Sequence, residues 1–325
     1  MSHYAKLLKR YEGNPILTAK QWPYPINSVF NPGACKLSDG TTLLLCRVED
    51  FRGHSHLCAA RSENGYDNWI IDPEPTFVPD PVHWPGELWG MEDPRIVWLE
   101  ETQEYGITYT AYTQGGPGVA LALTKDFHSF ERLGVIFAPD DKDAALFPHR
   151  IGDRWAMIHR PYTHSETTGA HIWISFSPDL KHWGDHTIIL RARLGAWWDA
   201  GRIGLSPPLI ETRRGWLAIY HGVRFTPAGP LYRLGLALFH PQDVSKCELR
   251  ADEWIFGPME PYELIGDVGG AVFPCGFVLE DDNDTLRLYY GGADSCVAIA
   301  TGKVSALLDW LLENGHPDEP VNMYF

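Results

Sequence analysis

The sequence predicts an all-β protein, a five-bladed β-propeller with a short C-terminal helix. Three kinds of segment recur in the same order five times, at intervals of about 60 residues. Several short strands in each copy of such a period are typical of propeller blades. The period is too long for a β-helix, and the order within each copy fits a meander better than a pair of β-sandwiches.

The first recurring segment is a short run with proline at its second position, and it predicts the innermost strand of each blade. The five runs are NPGACKL (31–37), DPRIVWL (93–99), FPHRI (147–151), SPPLI (206–210) and FPCGFVL (273–279). Proline is tolerated at the start of a strand and rarely within a sheet. We therefore expect the adjacent acids Glu92 and Asp93 to lie at the mouth of a strand and not inside it.

The other two segments predict the next two strands of each blade. Strand-like runs that end in polar residues cover residues 41–50, 104–113, 154–162, 215–223 and 285–294. Alternating runs that end at a turn cover residues 57–62, 119–124, 172–177, 234–240 and 297–301. A helix is predicted over residues 304–314 (VSALLDWLLEN). Because no linker divides the chain, one catalytic domain over residues 1–325 is expected.

Composition excludes several classes of function. The formal net charge of −15 disfavours nucleic acid and anionic membranes as partners, since both need a basic face. No apolar run has the length of a signal peptide core or of a membrane span. The six cysteines lack metal-type spacing and several lie in apolar runs, so we expect reduced core residues and a cytoplasmic protein. The many aromatic residues fit a carbohydrate site or a β-rich core equally well.

One end of the predicted propeller collects polar side chains. Antiparallel pairing places the start of each first strand beside the end of each second strand. The residues expected there are Asn31, Asp93, Phe147, Ser206 and Phe273 from first strands, and Arg47, Glu49, Asp50, Tyr112, Thr113, His159, Arg160, Tyr162, Tyr220, His221 and Asp294 from second strands. Charged groups that converge on a concave end indicate an active site, with a structural network of ion pairs as the alternative.

Acid–base chemistry is the interpretation that the motifs leave open. The sequence contains no nucleophile elbow, glycine-rich phosphate loop or convincing metal-ligand spacing, since His182 and His186 lie in a turn-like stretch. A carboxylic acid in a partly dry pocket can stay protonated and donate to the leaving oxygen of a glycosidic bond. The attacking group is then water, activated by a second carboxylate, or phosphate, held by cations.

Seven motifs in the same order resemble glycoside hydrolase family 130, the β-mannoside phosphorylases and related β-mannosidases. They are GMEDPRI, DKDAALFPHRI, MIHRP, WWDAGRIG, GWLAIYHGV, GDVGGAVFPCG and YYGGAD, between about residues 14 and 294. The family is a five-bladed propeller. The resemblance implies that Asp93 is the catalytic acid and protonates the leaving oxygen through a hydroxyl of the mannose. It also implies that phosphate attacks the anomeric carbon with inversion and gives α-mannose 1-phosphate.

The resemblance also implies binding roles. The residues that it predicts to bind phosphate are Arg160, Arg202 and His221. Arg202 is at a position where many members of the family have lysine. Sugar contacts fall to Asn27, Ser28, Arg47, Arg52 and Asp294, with weaker matches at Lys142 and His149. Inorganic phosphate is then a co-substrate, and no cofactor or metal is expected.

Three functions remain in competition. The hydrolytic branch of the family lacks the phosphate-binding cations that this chain retains, so phosphorolysis of a short β-mannoside is the leading hypothesis. Hydrolysis by water and a non-catalytic sugar-binding propeller are the alternatives. The linkage cleaved, β-1,4 or β-1,2, depends on the loops over residues 81–87, 161–169 and 224–230. Oligomeric state is left open, with aromatic residues in the loops and the two termini as the expected surfaces for a homo-oligomer.

Overall fold

Five antiparallel sheets form the described part of the chain, which a computed structural model gives for residues 7–162, 169–227 and 229–318. Two short strands come first, β1 (Lys9–Arg10) and β2 (Leu17–Thr18). Blade 1 consists of β3 (Ser28–Lys36), β4 (Thr42–Glu49), β5 (Ser55–Ser62) and β6 (Ile70–Ile71). Blade 2 consists of β7 (Met91–Leu99), β8 (Glu104–Thr113), β9 (Gly116–Thr124) and β10 (Glu131–Phe137).

The remaining three blades follow the same order. Blade 3 consists of β11 (Asp141–Leu146), β12 (Trp155–Pro161), β13 (Ile172–Ser177) and β14 (Gly184–Leu190). Blade 4 consists of β15 (Arg202–Leu205), β16 (Ile210–Thr212), β17 (Gly215–Thr226), β18 (Gly229–Phe239) and β19 (Cys247–Ala251). Blade 5 consists of β20 (Val272–Leu279), β21 (Thr285–Gly292) and β22 (Cys296–Lys303), with β1 and β2 paired to β22.

Short helices complete the description. They are 3₁₀ turns at Ala19–Gln21 and Pro85–Glu87, α1 (Pro261–Leu264) and α2 (Val304–Asn314), and β23 (Gly315–His316) adds to blade 4 after α2. The predicted five-bladed propeller and its C-terminal helix are confirmed. Within the described residues, neither α1 nor α2 has the length and apolar character to cross a membrane.

The inner strands surround a central channel. β3 contacts β7, β7 contacts β11, β11 contacts β15, and β20 contacts both β18 and β3, which closes the ring. The apolar core is divided into five clusters, and each lies between the facing sheets of neighbouring blades. Packing between sheets therefore uses the blade faces. The ends of the inner strands are left for polar groups.

Prolines do not open the inner strands, and this prediction is wrong in blades 1, 2 and 5. β7 begins at Met91, so Glu92 and Asp93 lie inside the strand. Pro94 occupies a β-bulge, where the pairing register shifts between Glu92 and Arg95, and similar shifts occur beside Pro32 and Pro274. A bulge leaves one residue outside the ladder of hydrogen bonds, and a strand can accept proline there.

The predicted first strands of blades 3 and 4 are displaced along the chain. β11 ends at Leu146, so Phe147 is not at the mouth. It is buried and packs edge-on against Trp216, with ring centroids 4.8 Å apart. The bulge of β11 holds Asp143 instead. Asn31, Asp93 and Asp143 occupy equivalent bulges in three blades and share left-handed backbone φ angles of 46°, 51° and 56°.

The N-terminal strand is locked to blade 5 by a buried ion pair. Arg10 donates from Nε to Oε1 of Glu263 (2.7 Å) and from Nη2 to Oε2 (2.8 Å). The Glu263 side chain is fully buried and also accepts from the Tyr290 hydroxyl (2.7 Å). This ion pair holds β1 against blade 5. If β1 detaches, the buried Glu263 carboxylate loses its cationic partner.

Replacing Arg10 with alanine is expected to lower the free energy of unfolding by about 3 kcal/mol, because a buried carboxylate is left without its partner. Urea denaturation measures the loss. Lys9→Ala is the matched control, since Lys9 lies beside Arg10 with an exposed side chain and should change stability by less than about 0.5 kcal/mol. Equal effects of the two substitutions would refute the role given to the ion pair.

Candidate active site

A narrow polar pocket lies at the predicted mouth of the channel, with a volume of about 130 Å³. It is lined by Asn31, Arg47, Asp93, Lys142, Asp143, Arg160, Arg202, His221, Tyr232, Val268, Ala271, Phe273 and Asp294. All five blades contribute to this lining. The structure therefore brings together the predicted acid, all three predicted phosphate ligands and two of the predicted sugar contacts.

Asp93 is held in the pocket by its bulge and by two donors. Its Oδ1 accepts from Nδ2 of Asn31 (2.9 Å) and from Nη1 of Arg47 (3.3 Å), and the residue is 4% exposed. Burial acts to raise the pKa of Asp93, but the nearby charges of Arg47 and Lys142 outweigh it, so the pKa lies below the ordinary range. Without substrate, Asp93 is an ionised carboxylate.

Asp294 is the carboxyl group that keeps a proton near neutral pH. It follows β21 and faces the same pocket. Burial raises the pKa of Asp294 to about 7, with Arg47 acting in the lowering direction and Asp93 in the raising direction. The two acids titrate as an interacting pair, and between them they hold a proton that the pocket can use. In the resting site the raised pKa thus belongs to Asp294, and the lowered one to Asp93.

The raised pKa of Asp294 makes stability depend on pH. Between the unfolded pKa near 4 and the folded pKa near 7, the folded chain binds more protons than the unfolded chain, so stability falls as pH rises. Asp294→Asn removes this dependence. As pH rises from 5 to 8, the free energy of unfolding of the variant, measured by urea denaturation, is expected to increase by about 2 kcal/mol relative to that of the natural chain. A constant difference across this range would contradict the raised pKa.

Arg47 organises the acids of blades 1 and 2. Its Nη2 lies 3.0 Å from Oε1 of Glu92 and 3.3 Å from Oε2 of Glu49, and its Nε donates to the Ser55 hydroxyl (2.9 Å). Glu92 therefore pairs with Arg47.

Arg95 is a buried link between two blades. It is 1% exposed and donates from Nε to the carbonyl oxygen of Ser206 (2.7 Å) and from Nη2 to that of Leu205 (2.8 Å). These bonds join blade 2 to blade 4. The guanidinium group also lies 3.5 Å from Oδ1 of Asp143, which lines the pocket.

Asp143 is the buried anchor of the cationic side of the pocket. Its Oδ2 accepts from Nε and Nη2 of Arg160 at 3.0 and 2.8 Å, and His221 Nε2 lies 3.4 Å away. Burial opposes ionisation, but Arg160 and His221 outweigh it and hold the pKa of Asp143 well below its usual range. A Cβ atom on Gly204 would lie 2.4 Å from this oxygen, so glycine is needed for β15 to approach.

His221 acts as a neutral hydrogen-bonding group. Burial lowers its pKa, against the raising effect of Asp143. Its Nδ1 is 3.3 Å from the Ser206 hydroxyl, which fits a tautomer that accepts from Ser206 and donates from Nε2 to Asp143. Two of the predicted phosphate ligands, Arg160 and His221, therefore share one carboxylate partner.

Arg202 and Lys142 carry positive charge and have fewer hydrogen-bond and ion-pair partners than Arg160. Arg202 donates from Nη2 to the Tyr232 hydroxyl (2.6 Å), and neither it nor Lys142 forms an ion pair within the described residues. The segment before Arg202 is fixed by Asp199, whose buried carboxylate accepts from Nη2 of Arg250 (2.7 Å). An anion entering the pocket meets these two cations with open donors.

Sequence reasoning missed two residues of this site. Tyr232 lies on β18, which begins at Gly229, whereas the predicted strand began at residue 234. Asp143 lies in the motif DKDAALFPHRI, and no role was predicted for it. The match of DAAL with DPRI and NPGA could have identified it, since the three runs share a bulge.

Four predicted contacts lie outside the pocket lining. Ser28 is buried at the start of β3, and exposed Asn27 donates to Asp267 (2.8 Å). Arg52 pairs with Asp50 on the surface. The weaker match, His149, lies beside Glu211 (3.2 Å), away from the pocket. Their assigned roles stay predictions. Residues 163–168 and 228, in two of the loops expected to set linkage, lie outside the described residues.

The arrangement suits anion binding and proton transfer. Among the residues that the structure describes, no cluster of three or more His, Cys, Asp or Glu side chains could hold a metal ion. The pocket instead offers guanidinium and ammonium donors opposite a pair of interacting acids. Such a pocket can place an anionic nucleophile on one side of a bound group and a proton source on the other.

Comparisons with known proteins match the chain over nearly its whole length. The family model of glycoside hydrolase family 130, described as beta-1,4-mannooligosaccharide phosphorylase, matches residues 4–313. A beta-1,4-mannooligosaccharide phosphorylase of Ruminococcus albus is 31% identical, over 93% of this chain and 90% of the relative. A 1,2-beta-oligomannan phosphorylase of Thermoanaerobacter is 35% identical, over 90% and 96%. The solved beta-1,2-mannobiose phosphorylase of Listeria innocua, in complex with beta-1,2-mannobiose, has a TM-score of 0.84 at 29% identity, over 94% and 99%.

Proposed function

The chain belongs to glycoside hydrolase family 130, and we propose that it is a β-mannoside phosphorylase that cleaves a short β-mannoside with inorganic phosphate. The observation that carries the proposal is the cationic side of the pocket, where Arg160, Arg202 and Lys142 converge beside the neutral imidazole of His221. Arginine binds phosphate through pairs of parallel hydrogen bonds, and several such donors in a small pocket favour an anionic co-substrate over water. No cofactor is needed in this proposal.

Phosphate attacks the anomeric carbon of the mannose with inversion in this mechanism. Arg202 and Lys142 bind the anion with their open donors, and Tyr232 orients Arg202 through its hydroxyl. Arg160 is held in place by Asp143 and presents its remaining donor to the phosphate. These groups position the nucleophile and lower its repulsion from the acids. The products are α-mannose 1-phosphate and a shortened acceptor sugar.

The leaving oxygen needs a proton, and Asp93 supplies it in this mechanism, relayed through a hydroxyl of the mannose. Resting Asp93 is ionised, so it must first gain a proton. Asp294 holds one nearby, and loss of water on substrate binding raises the pKa of a carboxyl group by removing its solvation. Proton transfer within the acid pair then puts the proton on Asp93. The relatives include both β-1,4 and β-1,2 phosphorylases, so the proposal covers both linkages.

An assay with and without phosphate tests the proposal. Sugar release from a manno-oligosaccharide should require inorganic phosphate and give mannose 1-phosphate. Arg202→Ala should raise the KM for phosphate by more than about tenfold, a loss of at least about 1.4 kcal/mol of binding. Arg213→Ala, an exposed arginine in the β16–β17 turn, is the control and should change nothing. Undiminished release of free mannose without phosphate would refute the proposal and favour a β-mannosidase.

We further propose that one catalytic domain over residues 1–325 works in the cytoplasm, and that it self-associates. Six free cysteines, four of them buried, support a reducing compartment. Exposed apolar side chains at Phe51, Val82 and Ile265 support an interface between copies. Light scattering at increasing protein concentration tests self-association, and a constant monomer mass would refute it.

A further inference from the structure

A second cavity lies across the blade 4 hairpin from the catalytic pocket. Tyr232 lines the catalytic pocket, whereas the next residue, Arg233, lines a cavity of about 470 Å³. Consecutive residues of a strand point to opposite faces of the sheet, so β17 and β18 separate the two. Trp197 precedes β15, and Arg224 lies near the end of β17. Both positions are at the mouth end of the propeller, where the catalytic pocket also opens.

Three indole rings, of Trp197, Trp198 and Trp254, and two arginines line this cavity. Trp197, in the motif WWDAGRIG, is 42% exposed, although so large an apolar side chain is usually buried. Trp254 lines the wall beneath Arg233, whose guanidinium carbon lies 4.7 Å from a ring centroid of Trp254. The volume is within the range of small-ligand sites, roughly 300–1,000 Å³. The motif residue Trp197 is outside the lining of the catalytic pocket and has no part in the proposed reaction.

The guanidinium groups of Arg224 and Arg233 keep hydrogen-bond donors available for a ligand. Burial lowers the pKa of Arg233, and the like charge of Arg224 lowers it further. Neither arginine makes an ion pair with a carboxylate in the parts of the chain that the structure describes. Of the two acids in the lining, Asp252 is already paired with Arg193 (2.7 Å), and Glu253 is exposed. The cavity therefore offers guanidinium donors, a carboxylate acceptor and the partly exposed indole of Trp197, which has the Arg193 guanidinium packed on one face, 4.4 Å from the ring centroid.

We propose that this cavity is a second carbohydrate site, which binds a hexose unit of an oligosaccharide outside the catalytic pocket. The apolar C–H face of a pyranose packs on Trp197, and the ring hydroxyls accept from Arg224 and Arg233 and donate to Glu253. A neutral sugar uses both the arginine donors and the Glu253 acceptor, whereas a simple anion would use the donors alone and would be repelled by the charge of Glu253. The identity of the sugar as a mannoside rests on the proposed function.

Calorimetry on the full chain carrying Asp93→Asn tests this site, because that background prevents turnover. The titrants are a β-mannose disaccharide, a long β-manno-oligosaccharide and inorganic phosphate. Adding Trp197→Ala and Arg224→Ala is expected to weaken binding of the long oligosaccharide about tenfold and to leave the disaccharide unchanged. Trp98→Ala, with 39% exposure on β7, is the matched control and should have no effect.

The outcomes separate this inference from the proposed function. Unchanged affinity for the long oligosaccharide overturns the second site, as does a loss of phosphate binding alone, which indicates an anion site. Thermal unfolding of each variant shows whether the fold is kept, and Arg224→Ala alone, at an exposed position, repeats the test if the double variant unfolds. A natural chain that releases mannose without phosphate overturns the proposed function, yet the titration still decides whether Trp197 binds sugar.

Discussion

Replacing Asp93 with asparagine is expected to lower kcat for phosphorolysis by about 10³-fold, while the fold is kept. The amide has the shape of the carboxyl group and still accepts from Asn31 and Arg47, but it cannot give up a proton to the leaving oxygen. Kinetics with saturating phosphate and sugar measure the loss. The KM for phosphate should change little, because phosphate binds on the opposite side of the pocket.

Glu92→Gln is the matched control for Asp93→Asn. Glu92 is the adjacent acid and pairs with the same Arg47, but it does not line the pocket. Its substitution should lower kcat by less than about tenfold, the effect of a neighbour that acts only on the position of Arg47. If the Asp93 and Glu92 variants lost activity equally, the acid role of Asp93 would be wrong.

Replacing Asp143 with alanine is expected to cost about 3–5 kcal/mol of stability and to raise the KM for phosphate by more than tenfold. The buried carboxylate is the shared partner of Arg160 and His221, so its removal leaves the Arg160 charge buried without compensation and free to turn away from the phosphate. Denaturation in urea measures the first effect, and kinetics at varied phosphate concentration measure the second.

Asp143→Asn separates these two effects. The amide oxygen keeps one hydrogen bond from Arg160, so stability should recover in part, whereas the loss of charge should still raise the KM for phosphate. Asp141→Asn is a control of the same type, because Asp141 pairs with His159 (2.6 Å) outside the pocket lining and touches Arg160 only at its backbone N–H (3.1 Å), from which the amide oxygen can still accept. A phosphate KM unchanged in both Asp143 variants would contradict the positioning role of this carboxylate.

The repeat pattern was sufficient to predict the fold, because strand order and spacing depend on local alternation. The predicted runs over residues 104–113 and 172–177 coincide with β8 and β13, and the helix over residues 304–314 coincides with α2. The inner strands were less predictable. Their prolines lie at bulges or beyond the strand ends, and a bulge depends on the partner strand, which the local sequence does not reveal.

The identity of the charged residues in the site was predictable from the sequence. Their ionisation was less predictable, because it depends on which groups lie beside them in the folded chain. Asp93, Arg160, Arg202 and His221 were identified from motifs and converge as expected. Their ionisation was not predictable, because Arg47 acts on Asp93 from another blade and Asp294 takes the raised pKa instead. Tyr232 was missed because the hairpin of blade 4 extends past the predicted strands.

Closure of the ring by β1 and β2 has a consequence for how the chain folds during synthesis. The partner of these strands, β22, is separated from them by nearly the whole chain, so at about 5–20 residues per second the first strands wait tens of seconds for it. Until then the nascent chain carries unpaired strands, whose free N–H and C=O groups can pair with another molecule. We therefore expect blade 5 to fold last, and aggregation during expression to depend on how fast the N-terminal segment pairs with it.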